Sequence, residues 1–224
     1  MSFSKELRLA ADPFLEQQMG TPFVQGLIHG TLKSEQLEYW VRVDYPYLVN
    51  FSRILSMGVS QAPNVEAMSL VSSYLDYILS GEMASHEAFA KRCGISRAEL
   101  ESQIMGPIKY AYSQHEYASA SQGDLADILA VLAPCMFGWQ ILSKRILESH
   151  VIEDLNPYRW WFETYGADDA LDGHVTSLLE LLDELAEKVS PERREQLRTH
   201  FLRSEYFETI AWDAYFTMES WPKN

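Results

Sequence analysis

The sequence predicts an all-α protein that forms a single domain over residues 1–224. Apolar residues recur at spacings of three and four along the whole chain, which is the period of a helix with one buried face. Period-two alternation bounded by turn residues, which is typical of half-exposed strands, is hard to find. The chain has 224 residues and 47% of them are hydrophobic, enough for one sizeable core.

Ten helices are predicted, joined by short connections that favour antiparallel neighbours and a compact bundle. Ser34 before Glu35, Ser96 three residues before Glu99, and Ser190 before a proline mark three helix starts. The predicted ranges are 3–19, 22–31, 34–61, 64–92, 96–104, 107–121, 124–150, 157–165, 168–189 and 191–219.

The charge balance narrows the classes of partner. Lys and Arg number 18 against 32 Asp and Glu, so the formal net charge is −14. Phosphate backbones and anionic membranes attract clustered positive charge, so this balance argues against nucleic acid and membrane as partners. A small molecule is the expected ligand.

Targeting signals and cysteine usage point to the cytoplasm. The first residues are charged and lack the apolar core of a secretory signal. The longest apolar window, 125–142, contains Asp127, Pro134 and Gln140 and is short for a bilayer span, so it predicts a buried core helix. Cys93 and Cys135 lie in unrelated contexts and are expected to remain thiols, without a disulfide or a zinc site.

Cys135 is the first of three reactive side chains on apolar helix faces. It falls on the inward face of the helix that follows Asp124, directly after Pro134. A proline inside a helix lacks an amide donor and crowds the preceding turn, so we expect a kink beside the thiol. The alternative is a buried cysteine that acts as a small hydrophobic residue.

Two carboxylates interrupt other apolar faces. Asp44 lies with Tyr47 on the helix after Ser34, and a buried carboxylate needs donors, which a tyrosine or a basic side chain would provide. Glu208 lies four residues before a tryptophan in the last long helix, where Glu205 is an alternative inward acid. A thiol and two acids in different surroundings suit nucleophilic catalysis with one anchor and one proton donor.

At these positions the chain resembles the TenA, or thiaminase II, family over nearly its whole length. The resemblance rests on ordered motifs. They are Pro22-Phe23 with Gly30-Thr-Leu, Asp44-Tyr-Pro-Tyr47-Leu, Glu82-Met-Ala-Ser-His86, Tyr112-Ser-Gln-His115, Leu132-Ala-Pro-Cys135, Asn156-Pro-Tyr-Arg-Trp with Thr164-Tyr165-Gly166, and Glu208 with Trp212 and then Trp221.

The resemblance implies a haem-oxygenase-like helical bundle, assembled as a homotetramer, that needs no metal or organic cofactor. It also implies hydrolysis at the methylene carbon of an aminopyrimidine in thiamine salvage. The substrate would be thiamine or 4-amino-5-aminomethyl-2-methylpyrimidine, and the product hydroxymethylpyrimidine.

The resemblance also assigns roles to residues. Cys135 would be the nucleophile, Glu208 would protonate a ring nitrogen, and Tyr112 would lie near the thiol. Asp44 would accept from the exocyclic amino group and bind the adjacent ring nitrogen. Tyr47 would frame the ring and Tyr165 would hold Glu208.

Four positions depart from the family pattern and bear on pocket size. Thr21, Val43, Trp139 and Ala211 stand where histidine, glutamine, tyrosine and phenylalanine are common in relatives. None removes a proposed catalytic group. Trp139 follows Cys135 by one helical turn, and its bulk would line the pocket and disfavour the larger thiamine.

Other functions are weaker alternatives. Glu82 and His86 share a helix face, but one such pair is more often an ordinary hydrogen-bonded pair than a metal site. A site for two iron atoms often uses Glu-x-x-His pairs, and the sequence contains none. Haem binding through His29 or His86 is weaker still. The rival from another class is a non-catalytic aminopyrimidine-binding or regulatory protein of the same fold, which would have no use for a thiolate.

Overall fold

The computed structural model describes residues 1–149 and 152–222, and its regular elements in these ranges are helical. The all-α prediction is therefore confirmed. The elements are α1 (Phe3–Met19), α2 (Pro22–Ile28), α3 (Ser34–Gln61), α4 (Val65–Tyr77), a π-helical segment (Ile78–Glu82), α5 (Met83–Arg92), α6 (Arg97–Glu101), α7 (Pro107–Gln122), α8 (Leu125–Glu148), α9 (Arg159–Gly166), α10 (Asp169–Ala186) and α11 (Pro191–Thr217).

The helix starts follow the capping signals with one difference. At α6 the Ser96 hydroxyl accepts from the Glu99 amide at 3.3 Å, and the Glu99 carboxylate accepts from the Ser96 amide at 2.8 Å. α3 begins at Ser34 as predicted, but the Ser34 hydroxyl does not cap it. The Gln36 side chain instead accepts from the Lys33 amide at 3.0 Å, which satisfies one donor that the helix start leaves free.

α8 is the central helix of the bundle. It packs against α3, α7, α9, α10 and α11. By length and composition the helix is long and apolar enough to cross a membrane, since an 18-residue window has a mean hydropathy of 1.7. However, 89% of this window is buried inside the protein. α8 is thus a core helix, and Pro134 lies inside its range.

The predicted helix 64–92 is divided into three parts. α4 ends at Tyr77, the π-helical segment spans Ile78–Glu82, and α5 begins at Met83. A π segment adds a residue to one helical turn and changes the direction in which following side chains point. α3 packs against α4, α5 and the π-helical segment, so this irregular turn lies beside the face of α3 that carries Asp44.

Candidate active site

A largely enclosed cavity lies among α3, α4, the π-helical segment, α8, α9 and α10. Its volume is about 20 Å³, so in the unliganded protein it has room for little more than one water molecule. Four of the predicted site residues line it, from three different helices. The lining residues are Asp44, Leu48, Phe51, Tyr74, Glu82, Cys135, Met136, Trp139, Tyr165 and Leu171.

Cys135 is a protonated thiol in the unliganded protein. It is partly exposed and lines the cavity, while its neighbours in α8 are buried. Burial raises the pKa of the Cys135 thiol well above its usual range, and the charge of Glu208 adds to this effect. Because the thiolate is the nucleophilic form, attack by Cys135 requires a group that takes its proton.

Asp44 is held as a carboxylate by three polar side chains. Lys109 Nζ lies 3.0 Å from Asp44 Oδ1, His86 Nε2 lies 3.1 Å from Oδ2, and the Tyr215 hydroxyl donates to Oδ1 at 3.3 Å. Burial acts to raise the pKa of Asp44, but Lys109 and His86 outweigh it and lower the pKa to about 2. The basic and tyrosine partners expected from the sequence are both present.

Lys109 is a buried cation that the sequence analysis did not identify. Its side chain is 2% exposed, and Nζ lies 3.6 Å from the centroid of the Tyr47 ring. Burial acts to lower the pKa of Lys109, but the carboxylate of Asp44 raises it more, so the amine keeps its charge. The sequence did contain an indication of this site, because polar residues recur at helical spacing along α7. The buried positions of α7 are Lys109, Tyr112, Ser113, Glu116, Ser119 and Ala120.

Glu208 contacts the cavity wall through Trp139. The Trp139 indole donates to Glu208 Oε1, and Glu208 is 1% exposed. Burial raises the pKa of Glu208, which favours a protonated acid. The resemblance implied that Tyr165 would hold Glu208. The structure places Tyr165 on the cavity wall instead, with its ring centroid 5.5 Å from that of Trp139.

Glu205 and Glu208 are both buried, and their contacts distinguish them. Glu205 accepts from Gln18 of α1 at 3.4 Å, on a side of α11 that does not line the cavity. Of these two acids, Glu208 is the one joined to the cavity wall. The inward acid predicted at position 208 therefore lies beside the cavity.

Tyr47 and Tyr112 lie behind the cavity wall rather than in it. Their rings stack with centroids 5.4 Å apart, and the Tyr47 hydroxyl donates to Glu116 Oε1 at 2.8 Å. Burial raises the pKa of Glu116 to about 8, so this acid holds a proton at neutral pH. Burial and the charges of Glu208 and Glu116 raise the pKa of Tyr112, which keeps its phenol neutral.

Glu82 is a second carboxylate on the cavity wall that the sequence analysis did not assign to the active site. It is the last residue of the π-helical segment. His86, predicted to pair with it, contacts Asp44 instead. In residues 1–149 and 152–222, no three His, Cys, Asp or Glu side chains come together in a group that could hold a metal ion.

Trp139 gives the cavity a flat aromatic wall. Its ring lies 4.5 Å from that of Trp212, 5.1 Å from Trp161 and 5.7 Å from Trp40, measured between centroids. Tyr165 contacts the same ring. Such a packed cluster fixes the rotamers of the wall, and its faces suit stacking against a planar ring.

Comparison with known proteins gives a consistent set of relatives. Residues 11–218 match the model of the TENA/THI-4/PQQC family. A Bacillus subtilis protein named aminopyrimidine aminohydrolase is 33% identical over 221 residues, which are 99% of this chain and 92% of that protein. One of the same name from Halalkalibacterium halodurans is 30% identical over 224 residues and the full length of both proteins.

Solved structures show the same fold. A Silicibacter protein described as a TenA family transcription regulator superposes with a TM-score of 0.86 at 28% identity, covering 95% of this chain and 96% of that one. A Shewanella denitrificans domain with a haem-oxygenase-like fold gives 0.73 at 12% identity, covering 96% and 92%. The haem-oxygenase-like fold and the TenA resemblance predicted from the motifs are thereby confirmed, and the chain belongs to the TENA/THI-4/PQQC family.

Proposed function

We propose that the protein is a hydrolase of thiamine salvage that cleaves the bond at the methylene carbon of an aminopyrimidine and releases hydroxymethylpyrimidine. Its relatives named aminopyrimidine aminohydrolase support the reaction class. The single observation that carries the proposal is the position of Cys135 and Asp44 on one cavity wall with Trp139 and Tyr165.

Asp44 orients the ring in this proposal. Because it is ionised, it accepts a hydrogen bond from the exocyclic amino group and has no proton to donate. A contact with the adjacent ring nitrogen therefore requires a proton on that nitrogen. Lys109, His86 and Tyr215 hold the carboxylate in place before substrate arrives, which reduces the ordering cost of binding.

Cys135 and Glu208 perform the covalent chemistry. The sulfur of Cys135 bonds to a carbon of the electron-poor ring, and Glu208 protonates a ring nitrogen so that the added electron pair is stabilised. Expulsion of the amine or thiazole from the methylene carbon follows. Water then adds to the methylene carbon, and the carbon–sulfur bond breaks to restore the thiol.

The aromatic residues around this chemistry set the size of the ligand. Trp139 and Tyr165 contact the ring from the cavity wall, and Tyr47 and Tyr112 support Asp44 and Glu208 from behind. Trp139 also fills the space one helical turn from Cys135. The aminomethyl pyrimidine, with its small leaving group, is therefore the preferred substrate over intact thiamine.

A product assay tests this function. Purified protein is incubated with thiamine or with 4-amino-5-aminomethyl-2-methylpyrimidine, and hydroxymethylpyrimidine is followed by chromatography. We expect Cys135→Ser to lower kcat/KM by roughly 10³-fold or more. Cys93→Ser is the matched control, because Cys93 follows the last residue of α5 and does not line the cavity.

Each outcome has a defined meaning. Equal turnover by wild type and Cys135→Ser would contradict the covalent route. No turnover of either compound by wild type, together with binding of the aminopyrimidine, would favour the non-catalytic binding protein.

A further inference from the structure

The Glu82 carboxylate faces the cavity without a donor. Among the described residues, no side chain or backbone amide donates a hydrogen bond to it, whereas Asp44 on the same wall pairs with Lys109 and His86 and accepts from Tyr215. Glu82 is partly buried, so its carboxylate keeps some contact with water, and a ligand bound in the cavity would supply the missing donor. Its position at the end of a π-helical segment is also typical of functional sites.

The other groups near Cys135 are poor acceptors for the thiol proton. Asp44 is paired with Lys109 and His86 and is a very weak base, with a pKa of about 2. Glu208 is buried behind Trp139 with a raised pKa, and the phenols of Tyr112 and Tyr165 are kept neutral by burial. Of the two carboxylates on the cavity wall, Glu82 is the one that can accept a proton.

We propose that Glu82 is the catalytic base that takes the proton of the Cys135 thiol as sulfur attacks the ring, and the acid that returns this proton to the leaving group. The inference rests on the proposed function. Glu82 and Cys135 line the same cavity from the π-helical segment and α8, so both can reach one bound ring.

The proton balance is complete for the aminomethyl substrate. Sulfur bonds to the ring carbon while its proton passes to Glu82 and the Glu208 proton passes to a ring nitrogen. The ring nitrogen then returns its proton to Glu208, the methylene carbon–nitrogen bond breaks with its electron pair on nitrogen, and Glu82 protonates the amine, which leaves as ammonia.

The second half regenerates the enzyme. Water bonds to the methylene carbon, its proton passes to Glu82, and Glu208 again protonates the ring nitrogen. When the ring nitrogen returns that proton to Glu208, the bond between the ring carbon and sulfur breaks. The sulfur of Cys135 then takes a proton from Glu82. The net reaction consumes one water and yields hydroxymethylpyrimidine and ammonia.

The electrostatic surroundings of Glu82 suit a group that exchanges protons near neutral pH. Burial raises the pKa of Glu82 to about 7, His86 opposes this, and Asp44 adds to it. The titratable or charged groups that interact electrostatically with Glu82 lie on α3, α4, α5, α7, α8 and α9 and at the start of α10. They are Asp44, Tyr74, Tyr77, His86, Lys109, Cys135, Tyr165 and Asp168.

Glu82→Gln is the direct test, made in the Cys93→Ser background so that Cys135 is the remaining cysteine. We expect kcat/KM for the aminomethyl pyrimidine to fall at least about 100-fold. The rise of kcat/KM with pH near 7 should disappear. Alkylation of Cys135 by iodoacetamide at pH 8 should become faster, because Glu82 no longer places a negative charge near the thiol.

Opposite changes in turnover and alkylation separate a catalytic base from a disturbed fold. Glu82→Asp, which keeps the carboxylate, should retain more activity than Glu82→Gln. Asp76→Asn is the matched control, since it removes an exposed charge in the preceding turn and should change neither rate. Circular dichroism confirms that each variant is folded.

The result that overturns the proposal is Cys135-dependent turnover that stays within a few-fold of the parent in Glu82→Gln. That result would leave the proposed function intact. Absence of Cys135-dependent turnover in the parent protein would instead overturn the proposed function and this inference together.

Discussion

Lys109 Nζ lies 3.0 Å from Asp44 Oδ1, and both side chains are almost completely buried. Removing two charges from water is expensive, and their mutual attraction offsets the cost only when geometry is good and the remaining polar atoms have partners. His86 and Tyr215 supply those partners on the Asp44 side. The pair therefore fixes an ionised carboxylate at the cavity wall at a cost in stability.

Lys109→Met should destabilise the protein strongly. It leaves the Asp44 carboxylate buried beside His86 and Tyr215 without its main counter-charge. We expect the free energy of unfolding to fall by about 3–5 kcal/mol. Urea unfolding at pH 7 measures the change.

A double-mutant cycle separates this pair from simple loss of packing. Asp44→Asn combined with Lys109→Met should cost less stability than the sum of the two single variants, with a coupling energy of about 1 kcal/mol or more. Strict additivity would show that the two charges do not stabilise each other.

Glu116 should make the unliganded protein less stable as pH rises. Its folded-state pKa of about 8 lies above the ordinary value of 4.5, so between these pH values the folded protein holds a proton that the unfolded chain has lost. The contribution of Glu116 to the free energy of unfolding is fully present below pH 4.5. It decreases by roughly 4 kcal/mol as pH rises toward 8.

Glu116→Gln removes this titration while keeping an acceptor for Tyr47. The decline in unfolding free energy between pH 5 and pH 8, measured with urea, should be smaller in this variant than in wild type. Glu184→Gln, an exposed position on α10, is the control and should leave the decline unchanged. Identical pH profiles for Glu116→Gln and wild type would contradict the buried, protonated state of Glu116.

Trp139→Tyr should shift substrate preference toward thiamine. Tyrosine is smaller, so it opens the cavity one turn from Cys135, and its hydroxyl replaces the indole as a donor to Glu208. We expect the ratio of kcat/KM for thiamine to that for the aminomethyl pyrimidine to rise by about tenfold. Trp160→Tyr, on the outer face of α9 against Arg92, should leave the ratio unchanged. An unchanged ratio in Trp139→Tyr would mean that Trp139 does not restrict thiamine.

The apolar spacing predicted the helices because most helices here bury an apolar face. It failed at the π-helical segment Ile78–Glu82, because this segment leaves no break in the pattern of apolar spacing. It predicted α7 as a helix at 107–121, but it did not identify the polar buried face that carries Lys109 and Glu116. The buried face of such a helix repeats with the helical period, but its residues are polar, so a pattern of apolar spacing does not reveal it.

The site was predictable where a reactive side chain interrupts an apolar face, as Asp44, Cys135 and Glu208 do. Their partners were not, because pairing depends on the relative placement of helices. His86 was grouped with Glu82 by sequence spacing, yet it contacts Asp44 on another helix. Likewise Trp139, one turn from Cys135, contacts Glu208 in place of Tyr165.

A crystal structure of Cys135→Ser with bound 4-amino-5-aminomethyl-2-methylpyrimidine tests the central claim most directly. The account predicts the ring in the cavity against Trp139, its amino group about 3 Å from Asp44, and a ring carbon about 3–3.5 Å from the side chain at position 135. A ring bound outside this cavity, or bound with its amino group turned away from Asp44, would contradict it.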